Sequence, residues 1–206
     1  MEPSFWDERY QGGGFFYGTA PNDFLVSQAE RLTPGSRVLC LAEGEGRNAV
    51  YLAGLGHTVT AVDSSSVGLT KAAALAASHG LQLTTFTADL NDFAVVPGAW
   101  DAIVSVWCHV PEPLRRKVHA AAVQGLAPGG WFILEAYHPR QIGRGTGGPP
   151  TPDLMMTLPA LRTELAGLDW HIAAESERDI REGAGHQGQS AVVQFAGQKP
   201  TGDSTC

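Results

Sequence analysis

Residues 38–49 read VLCLAEGEGRNA, an apolar run that passes through a glycine-containing turn into an amphipathic segment. The apolar part, residues 36–41, is typical of a buried β-strand, and residues 47–55, which end before Gly56, are typical of a helix. Short apolar runs alternate with amphipathic runs in the same way as far as residue 136. This alternation predicts an α/β fold with a doubly wound, mostly parallel sheet.

The remaining elements follow from the same patterns. We expect strands at 57–62, 83–87, 100–106 and 131–136, and a final hairpin of strands at 171–179 and 191–197. The Gly- and Pro-rich residues 141–152 predict a mobile surface flap. One domain is expected over residues 1–197, with residues 1–35 as an N-terminal cap and 36–197 as a Rossmann-like core. Residues 198–206 are expected to be a disordered tail.

Composition excludes several classes of protein. The 206 residues carry 14 Lys and Arg against 21 Asp and Glu, a net charge of -7, so we expect no nucleic-acid partner, because phosphate binding needs a basic face. No apolar run approaches the roughly 18 residues of a membrane span, and no signal peptide is evident. Cys40, Cys108 and Cys206 lack a Cys-x-x-Cys pattern, and the seven histidines lack a metal-ligand spacing. We therefore expect a cytoplasmic protein without a metal or membrane partner.

The glycine turn is compatible with two cofactors. Glycines at positions 44 and 46 would let a ligand approach the free amides at a helix N-terminus. Gly44-x-Gly46-x-x-Ala49, with Asp63 at the end of the second strand, also matches the dinucleotide fingerprint. The turn therefore leaves S-adenosylmethionine and a nicotinamide dinucleotide as alternatives.

The charges of the turn favour one of these cofactors. Glu43 and Glu45 would repel a pyrophosphate, but they suit the sulfonium and amino groups of S-adenosylmethionine. Asp89, after the third strand, could accept a hydrogen bond from an adenine amino group, although it is equally typical of a turn. The acidic residues therefore favour S-adenosylmethionine.

The chain resembles a known family at these and other motifs. They are Trp6-Asp7-Glu8-Arg9-Tyr10, Tyr17-Gly18-x-x-Pro21-Asn22-x-Phe24-Leu25, Glu43-Gly44-Glu45-Gly46-Arg47-Asn48, Asp63, Ala88-Asp89-Leu90 and Leu126-Ala127-Pro128-Gly129-Gly130. The family is the class I S-adenosylmethionine-dependent methyltransferases, in particular the small tellurite-resistance and thiopurine-methyltransferase-like group. The resemblance spans about residues 6–197.

This resemblance implies a seven-stranded sheet with an antiparallel last strand. It also implies that Gly44 and Gly46 lie under the methionine part of the cofactor, that Asp63 binds the ribose and that Asp89 lies near the adenine. The family often has an acid at the position of Cys40, and Glu43 is the candidate to replace it. The complete set of expected cofactor-binding residues is Glu43, Gly44, Glu45, Gly46, Asn48, Asp63, Ser64, Asp89, Leu90 and Trp107.

The acceptor side is less defined, because methyl transfer needs a dry pocket and in-line approach more than catalytic side chains. His109, after strand four, and His138 and Arg140, after strand five, are the catalytic candidates. Each could instead be an ordinary loop residue. Arg140 would suit an oxyanion or carboxylate acceptor. The aromatic residues between Trp6 and Tyr17 are a candidate cover for the cofactor, with core packing as the alternative.

The function expected from the sequence is therefore S-adenosylmethionine-dependent methylation of a small molecule, such as tellurite, selenite or a soft thiol. An NAD(P)-dependent oxidoreductase on the same sheet and a non-catalytic cofactor-binding sensor are the alternatives.

Overall fold

A computed structural model describes residues 3–202 and contains one seven-stranded sheet in the order β3-β2-β1-β4-β5-β7-β6. The strands are β1 (Arg37–Leu41), β2 (Thr58–Asp63), β3 (Thr84–Thr87), β4 (Trp100–Val106), β5 (Leu126–Tyr137), β6 (Asp169–Glu182) and β7 (His186–Gln198). Strands β1 to β5 pair in parallel, and β7 runs antiparallel to both β5 and β6. The predicted fold class is confirmed.

Helices cover both faces of this sheet. They are α1 (Pro3–Tyr10), α2 (Asp23–Gln28), α3 (Arg47–Gly54), α4 (Ser66–Ser78), α5 (Glu112–Gly125) and α6 (Leu158–Glu164), with short 3-10 turns at Ala29–Arg31, Pro139–Gln141 and Pro152–Leu154. Helix α4 begins where Ser65 accepts a hydrogen bond from the Gly68 amide at 3.0 Å, the usual role of a serine N-cap. Within residues 3–202, no helix combines the length and the apolar composition that a bilayer crossing requires.

The core has two layers because successive strand residues point to opposite faces of the sheet. In β1, Val38 and Cys40 pack into the layer under α2 and α3. Leu39 and Leu41 pack into the other layer, with Val118 of α5 and other apolar residues of α5 and α6. The side chains of these four β1 residues are all buried, which agrees with the continuous apolar run in the sequence.

The final hairpin is longer than the sequence predicted. Strands β6 and β7 pair from Asp169 with Gln198 to Glu182 with His186, beyond the expected segments 171–179 and 191–197. The polar ends of β6 did not resemble a strand because β6 is the edge of the sheet and many of its side chains remain exposed. The longer hairpin places its turn, residues 183–185, beside the N-terminal segment.

The prediction of a disordered tail is wrong for its first two residues. Gln198 belongs to β7, and the next residue, Lys199, exchanges backbone hydrogen bonds with Gly129 and Gly130 at 2.8 Å each. Residues 203–206, including Cys206, lie outside the described residues. The other two cysteines, Cys40 and Cys108, are buried free thiols.

Candidate functional site

A cavity of about 410 Å³ lies at the carboxyl ends of β1, β2 and β4. Ala42, Asp63 and Trp107, which follow or end these three strands, all line it. Strand β1 lies between β2 and β4, so the chain direction of the crossovers reverses there, and ligands of doubly wound sheets bind at such a point. The fold therefore places this cavity where a cofactor is expected.

The two glycines of the turn serve protein packing. A Cβ atom at Gly46 would lie 2.5 Å from the Cβ of Ala72 in α4, and the φ of Gly46 is +91°. A Cβ atom at Gly44 would lie 2.6 Å from the hydroxyl of Tyr10. Neither glycine lines the cavity, although both were expected beneath the cofactor. The space that a side chain would need is filled by α4 and by Tyr10, because α3 and α4 approach closely beside the turn.

Glu43 lines the cavity and also caps a helix. Its Oε1 accepts a hydrogen bond from the Ala49 amide, at the start of α3, at 2.8 Å. Burial raises the pKa of Glu43 to about 7. Cys40, at the position where the resembled family often has an acid, is fully buried nearby, and burial raises the pKa of its thiol. The carboxyl group that organises this turn is therefore supplied by Glu43.

Asp63 joins the turn to the start of α4 while it lines the cavity. Its Oδ2 accepts from the Gly44 amide and its Oδ1 from the Ser65 amide, both at 2.8 Å. Burial raises the pKa of Asp63, and these backbone hydrogen bonds oppose that effect. Each carboxylate oxygen has further lone-pair capacity. Ser64, the next residue, also lines the cavity.

The N-terminal segment lies over the cavity and is held there by Glu45. One oxygen of Glu45 accepts from the Phe16 amide at 2.7 Å, and the other is 2.6 Å from the ammonium of Lys71. Lys71 also donates to the carbonyl of Tyr10 at 2.9 Å. The segment contributes six side chains to the cavity wall: those of Phe5, Trp6, Arg9, Tyr10, Phe16 and Tyr17. The aromatic cover expected over the cofactor is thus next to the cavity.

The remaining expected cofactor residues line the cavity, and two of them also stabilise loops. Asp89 and Leu90 both line it, and Asp89 also accepts a hydrogen bond from the Asn91 amide at 2.7 Å, so its turn role is present as well. Asn48 lines it and accepts from the Asn22 amide at 2.9 Å. Apart from the two glycines, every expected cofactor residue is on the cavity wall.

Of the three catalytic candidates, only His109 lines the cavity. Its Nδ1 donates to the Leu154 carbonyl at 2.9 Å, and its Nε2 accepts from the Tyr137 amide at 3.4 Å. Burial lowers the pKa of His109 to about 4. Both ring nitrogens are engaged with backbone groups, so His109 is a poor candidate for a base.

His138 and Arg140 lie away from the cavity. His138 accepts from the Arg140 amide at 3.0 Å and caps the 3-10 turn that begins at Pro139. The Arg140 side chain is half exposed and lies 3.7 Å from Glu175. In the sheet, β5 lies beyond β4, one strand away from the point between β1 and β4 where the crossovers reverse. The 3-10 turn after β5 leads the chain away from that point. The structure therefore does not bring these two candidates to the site.

Several residues on the cavity wall were not expected from the sequence. Trp107 itself was expected, but the contacts that hold it were not. Its φ is +57°, and its indole Nε1 donates a hydrogen bond to Glu182 at 2.6 Å. Glu182 also accepts from the guanidinium of Arg47 at 2.6 Å. His186, at the start of β7, lines the cavity, as do residues 147–150 of the expected flap. No local sequence motif connects residues 182 and 186 with the glycine turn.

The residues present fit S-adenosylmethionine. Carboxylates on the wall, among them Glu43, Asp63 and Asp89, can accept hydrogen bonds from hydroxyl and amino groups, and their charge favours a sulfonium. A cavity of about 410 Å³ is within the ordinary range for small-molecule sites. Over residues 3–202, no cluster of three His, Cys, Asp or Glu side chains is arranged to hold a metal ion.

Comparison with known proteins gives a consistent result. A family model described as a methyltransferase domain matches residues 38–130. A thiopurine S-methyltransferase from Xanthobacter autotrophicus is 30% identical in an alignment 176 residues long, and the match covers 73% of this chain and 81% of that protein.

Two further comparisons extend this result. A 2-heptyl-1-hydroxyquinolin-4(1H)-one methyltransferase from Mycobacteroides abscessus is 29% identical over 109 residues, which are 52% of this chain and 48%, about half, of that protein. The solved structure described under "Conversion of a Disulfide Bond into a Thioacetal Group during Echinomycin Biosynthesis" superposes with a TM-score of 0.78 at 20% identity. It covers 98% of this chain and 94% of the other.

Proposed function

Because this chain belongs to the S-adenosylmethionine-dependent methyltransferases, we propose that it methylates the sulfur of a small, planar aromatic thiol. The observation that carries the proposal is the aromatic part of the cavity wall, where the rings of Tyr17, Trp107 and His186 lie against one another. Flat rings stack favourably on such side chains. The thiopurine S-methyltransferase relative acts, by its name, on an acceptor of this kind.

The cations on the cavity wall do not favour an oxyanion acceptor such as tellurite or selenite. Arg9 donates to the Tyr17 hydroxyl at 3.0 Å, and its guanidinium lies 4.6 Å from the centre of the Phe5 ring. Arg47 is bound to Glu182 at 2.6 Å. Arg140, the residue expected to bind an oxyanion, lies away from the cavity wall. An oxyanion would therefore meet aromatic rings and carboxylates rather than an unpaired guanidinium.

The chain's own residues would act mainly by binding and by excluding water. When bound, S-adenosylmethionine supplies an electrophilic methyl group on a positively charged sulfur. The carboxyl group of Glu43 can accept a hydrogen bond from an amino group, and Asp63 and Asp89 offer acceptors to the nucleoside part. The aromatic side chains of the N-terminal segment reduce access of water, which strengthens these charge interactions. Positioning of the acceptor on the rings then supplies much of the rate.

The proposal is tested by methyl transfer from a labelled donor to a panel of acceptors. The panel contains an aromatic thiol, a hydroxyquinolone, an aliphatic thiol, tellurite and selenite. We expect label on the sulfur of the aromatic thiol and the highest kcat/KM for it. Label on an oxyanion alone would overturn the proposed acceptor class. Binding of S-adenosylmethionine without turnover of any acceptor would favour the non-catalytic sensor, and calorimetric binding of NADH in its place would favour the oxidoreductase.

A further inference from the structure

His186 is a buried histidine on the cavity wall to which no motif assigns a role. It begins β7 directly after the hairpin turn, and only 7% of its surface is exposed. Its ring centre lies 4.5 Å from that of Tyr17 and 4.9 Å from that of Trp107. Neighbouring rings therefore fix the orientation of this imidazole beside the proposed acceptor surface.

One ring nitrogen of His186 has no hydrogen-bond partner in the protein. Its Nδ1 is buried and lacks a hydrogen-bond partner among the described residues. The nearest carboxylate oxygen, Oε2 of Glu182, is 3.7 Å away, which is too long for a hydrogen bond but close enough for a strong charge interaction. A buried polar atom without a partner is costly and requires an explanation, of which a catalytic role is one. His109, in contrast, has both nitrogens engaged.

Glu182 is held firmly in its position. It accepts from Arg47 at 2.6 Å, from the Trp107 indole at 2.6 Å and from Asn22 at 2.8 Å. Burial opposes ionisation of Glu182, but His186, Arg47 and Trp107 together lower its pKa below the ordinary value, so the carboxylate is charged at neutral pH. A fixed negative charge beside Nδ1 favours an imidazolium when a proton is taken up at the other ring nitrogen.

We propose that His186 is the general base that removes the thiol proton of the acceptor, with Glu182 as the residue that stabilises the resulting imidazolium. This inference rests on the proposed function. The thiol proton moves to Nε2 of His186, and the sulfur lone pair forms the new bond to the methyl carbon. The bond between that carbon and the donor sulfur breaks, and its electron pair stays on the donor, which becomes a neutral thioether. His186 then releases the proton to solvent.

The groups around His186 agree with this role. Glu182 on β6 and Glu135 on β5 raise its pKa, whereas burial, which is the largest effect, and Arg47 on α3 lower it. The balance lies below the usual histidine pKa, so the ring is neutral at pH 7 and can accept a proton. Arg178 on β6 lies 3.1 Å from Glu182, and three further ionisable side chains close to the ring are the phenols of Tyr17 and Tyr137 and the imidazole of His109. Burial raises the pKa of both phenols and lowers that of His109, so these three side chains are neutral as well.

The test uses the full chain, its methyl donor and a series of substituted aromatic thiols whose pKa values extend from below to above the assay pH. In His186→Gln, we expect kcat to fall by about 100-fold for the least acidic thiols, which is the usual range for loss of a general base. For thiols already ionised at the assay pH, we expect a change of less than about threefold, because no proton has to be removed. His79→Gln, a substitution of an exposed histidine at the end of α4, is the matched control and should leave all rates unchanged.

Two further measurements separate a base from a structural residue. The affinity of His186→Gln for S-adenosylhomocysteine should equal that of the wild-type protein, which shows that the cavity is intact. The acidic limb of the kcat–pH profile for weakly acidic thiols should be present in the wild type and absent in the variant.

An equal loss across the thiol series, or loss of S-adenosylhomocysteine binding, would overturn the assignment of His186 and leave the proposed function standing. Absence of thiol turnover in the wild-type protein would overturn both.

Discussion

At the end of the cavity formed by Glu43, Asp63 and Asp89, each charged side chain already accepts a hydrogen bond from a backbone amide. At the other end, His186 on the wall and Tyr137, which stacks on the wall residue Trp107, keep buried polar atoms without partners among the described residues. The first end therefore holds the fold together and is shaped before any ligand arrives. At this second end, the two unpartnered atoms form no hydrogen bond within residues 3–202, so they add less to the stability of the fold than the paired carboxyl groups of the first end. Substitutions at the two ends should accordingly differ in how they divide between stability and binding.

The largest effect is expected at the turn of the first end. In Gly46→Ala, the new Cβ would overlap Ala72 at 2.5 Å, and alanine would have to adopt a φ of +91°. We expect the free energy of unfolding to fall by about 3 kcal/mol, because overpacking and a left-handed conformation both cost energy. Urea denaturation measures the change. Gly54→Ala in α3 is the matched control, since its Cβ would meet only Leu81 at 3.8 Å, and a gain of up to about 1 kcal/mol is expected.

The next largest effect is the dependence of protein stability on the protonation of Glu43. Burial raises the pKa of its carboxyl group in the folded protein to about 7, against an ordinary value of 4.5, so the folded state binds this proton more tightly than the unfolded state. Stability therefore decreases as pH rises from about 4.5 to about 7, by about 2 kcal/mol when the opening to the cavity is taken into account. Glu43→Gln should remove this contribution, so its stability relative to the wild type should increase between pH 5 and pH 8.

Urea denaturation at several pH values measures this dependence. Glu112→Gln, at an exposed position, should follow the wild type throughout. If Glu43→Gln shows the same pH dependence as the wild type, the carboxyl group is already ionised well below neutral pH in the folded protein.

Asp63→Asn tests whether the first end also binds the cofactor. Asparagine keeps one oxygen for the Gly44 or Ser65 amide but loses the charge, so the affinity for S-adenosylhomocysteine should fall at least about tenfold. Isothermal titration calorimetry gives the dissociation constant directly. The exposed Asp92→Asn serves as the control. An unchanged constant in Asp63→Asn would show that this carboxylate acts only on the fold.

The smallest effect on stability is expected at the second end. Tyr137→Phe removes a buried hydroxyl that has no hydrogen-bond partner in residues 3–202, so the free energy of unfolding should change by less than about 0.5 kcal/mol. Ser65→Ala, at the first end, removes an N-cap that accepts from Gly68 and should cost about 1 kcal/mol. Thermal unfolding of both variants compares the two ends. A loss in Tyr137→Phe equal to that in Ser65→Ala would remove the distinction between them.

The same division explains what could be predicted from the sequence. The strands, the glycine turn and the position of Asp63 at the end of β2 are local patterns of polarity and spacing, and the fold class they predicted is confirmed. The contact between Arg47 and Glu182 joins residues that are 135 positions apart, so no window of sequence contains it. No sequence pattern assigns a role to His186, because its relation to the cavity depends on the length of the final hairpin.

The errors at His138 and Arg140 have a related cause. The rule that site residues follow the carboxyl ends of strands does not state how far each strand lies from the reversal point. Tyr137, the last residue of β5, still stacks on Trp107 with ring centres 4.5 Å apart, but the turn that begins at Pro139 carries the next residues outward. The direction of such a turn depends on the packing of residues distant in sequence, which the local pattern does not contain.

The contact between the hairpin turn and the N-terminal segment also bears on how the protein is made. The Ala184 amide donates to the Phe16 carbonyl at 2.8 Å, and a Cβ atom at Gly183 would overlap the backbone of residues 16–18. A nascent chain that emerges from the ribosome exposes the glycine turn well before residues 183–186 are synthesised. During that interval the wall that contains His186 does not exist, so cofactor present in the cell can stabilise the complete pocket only near the end of translation.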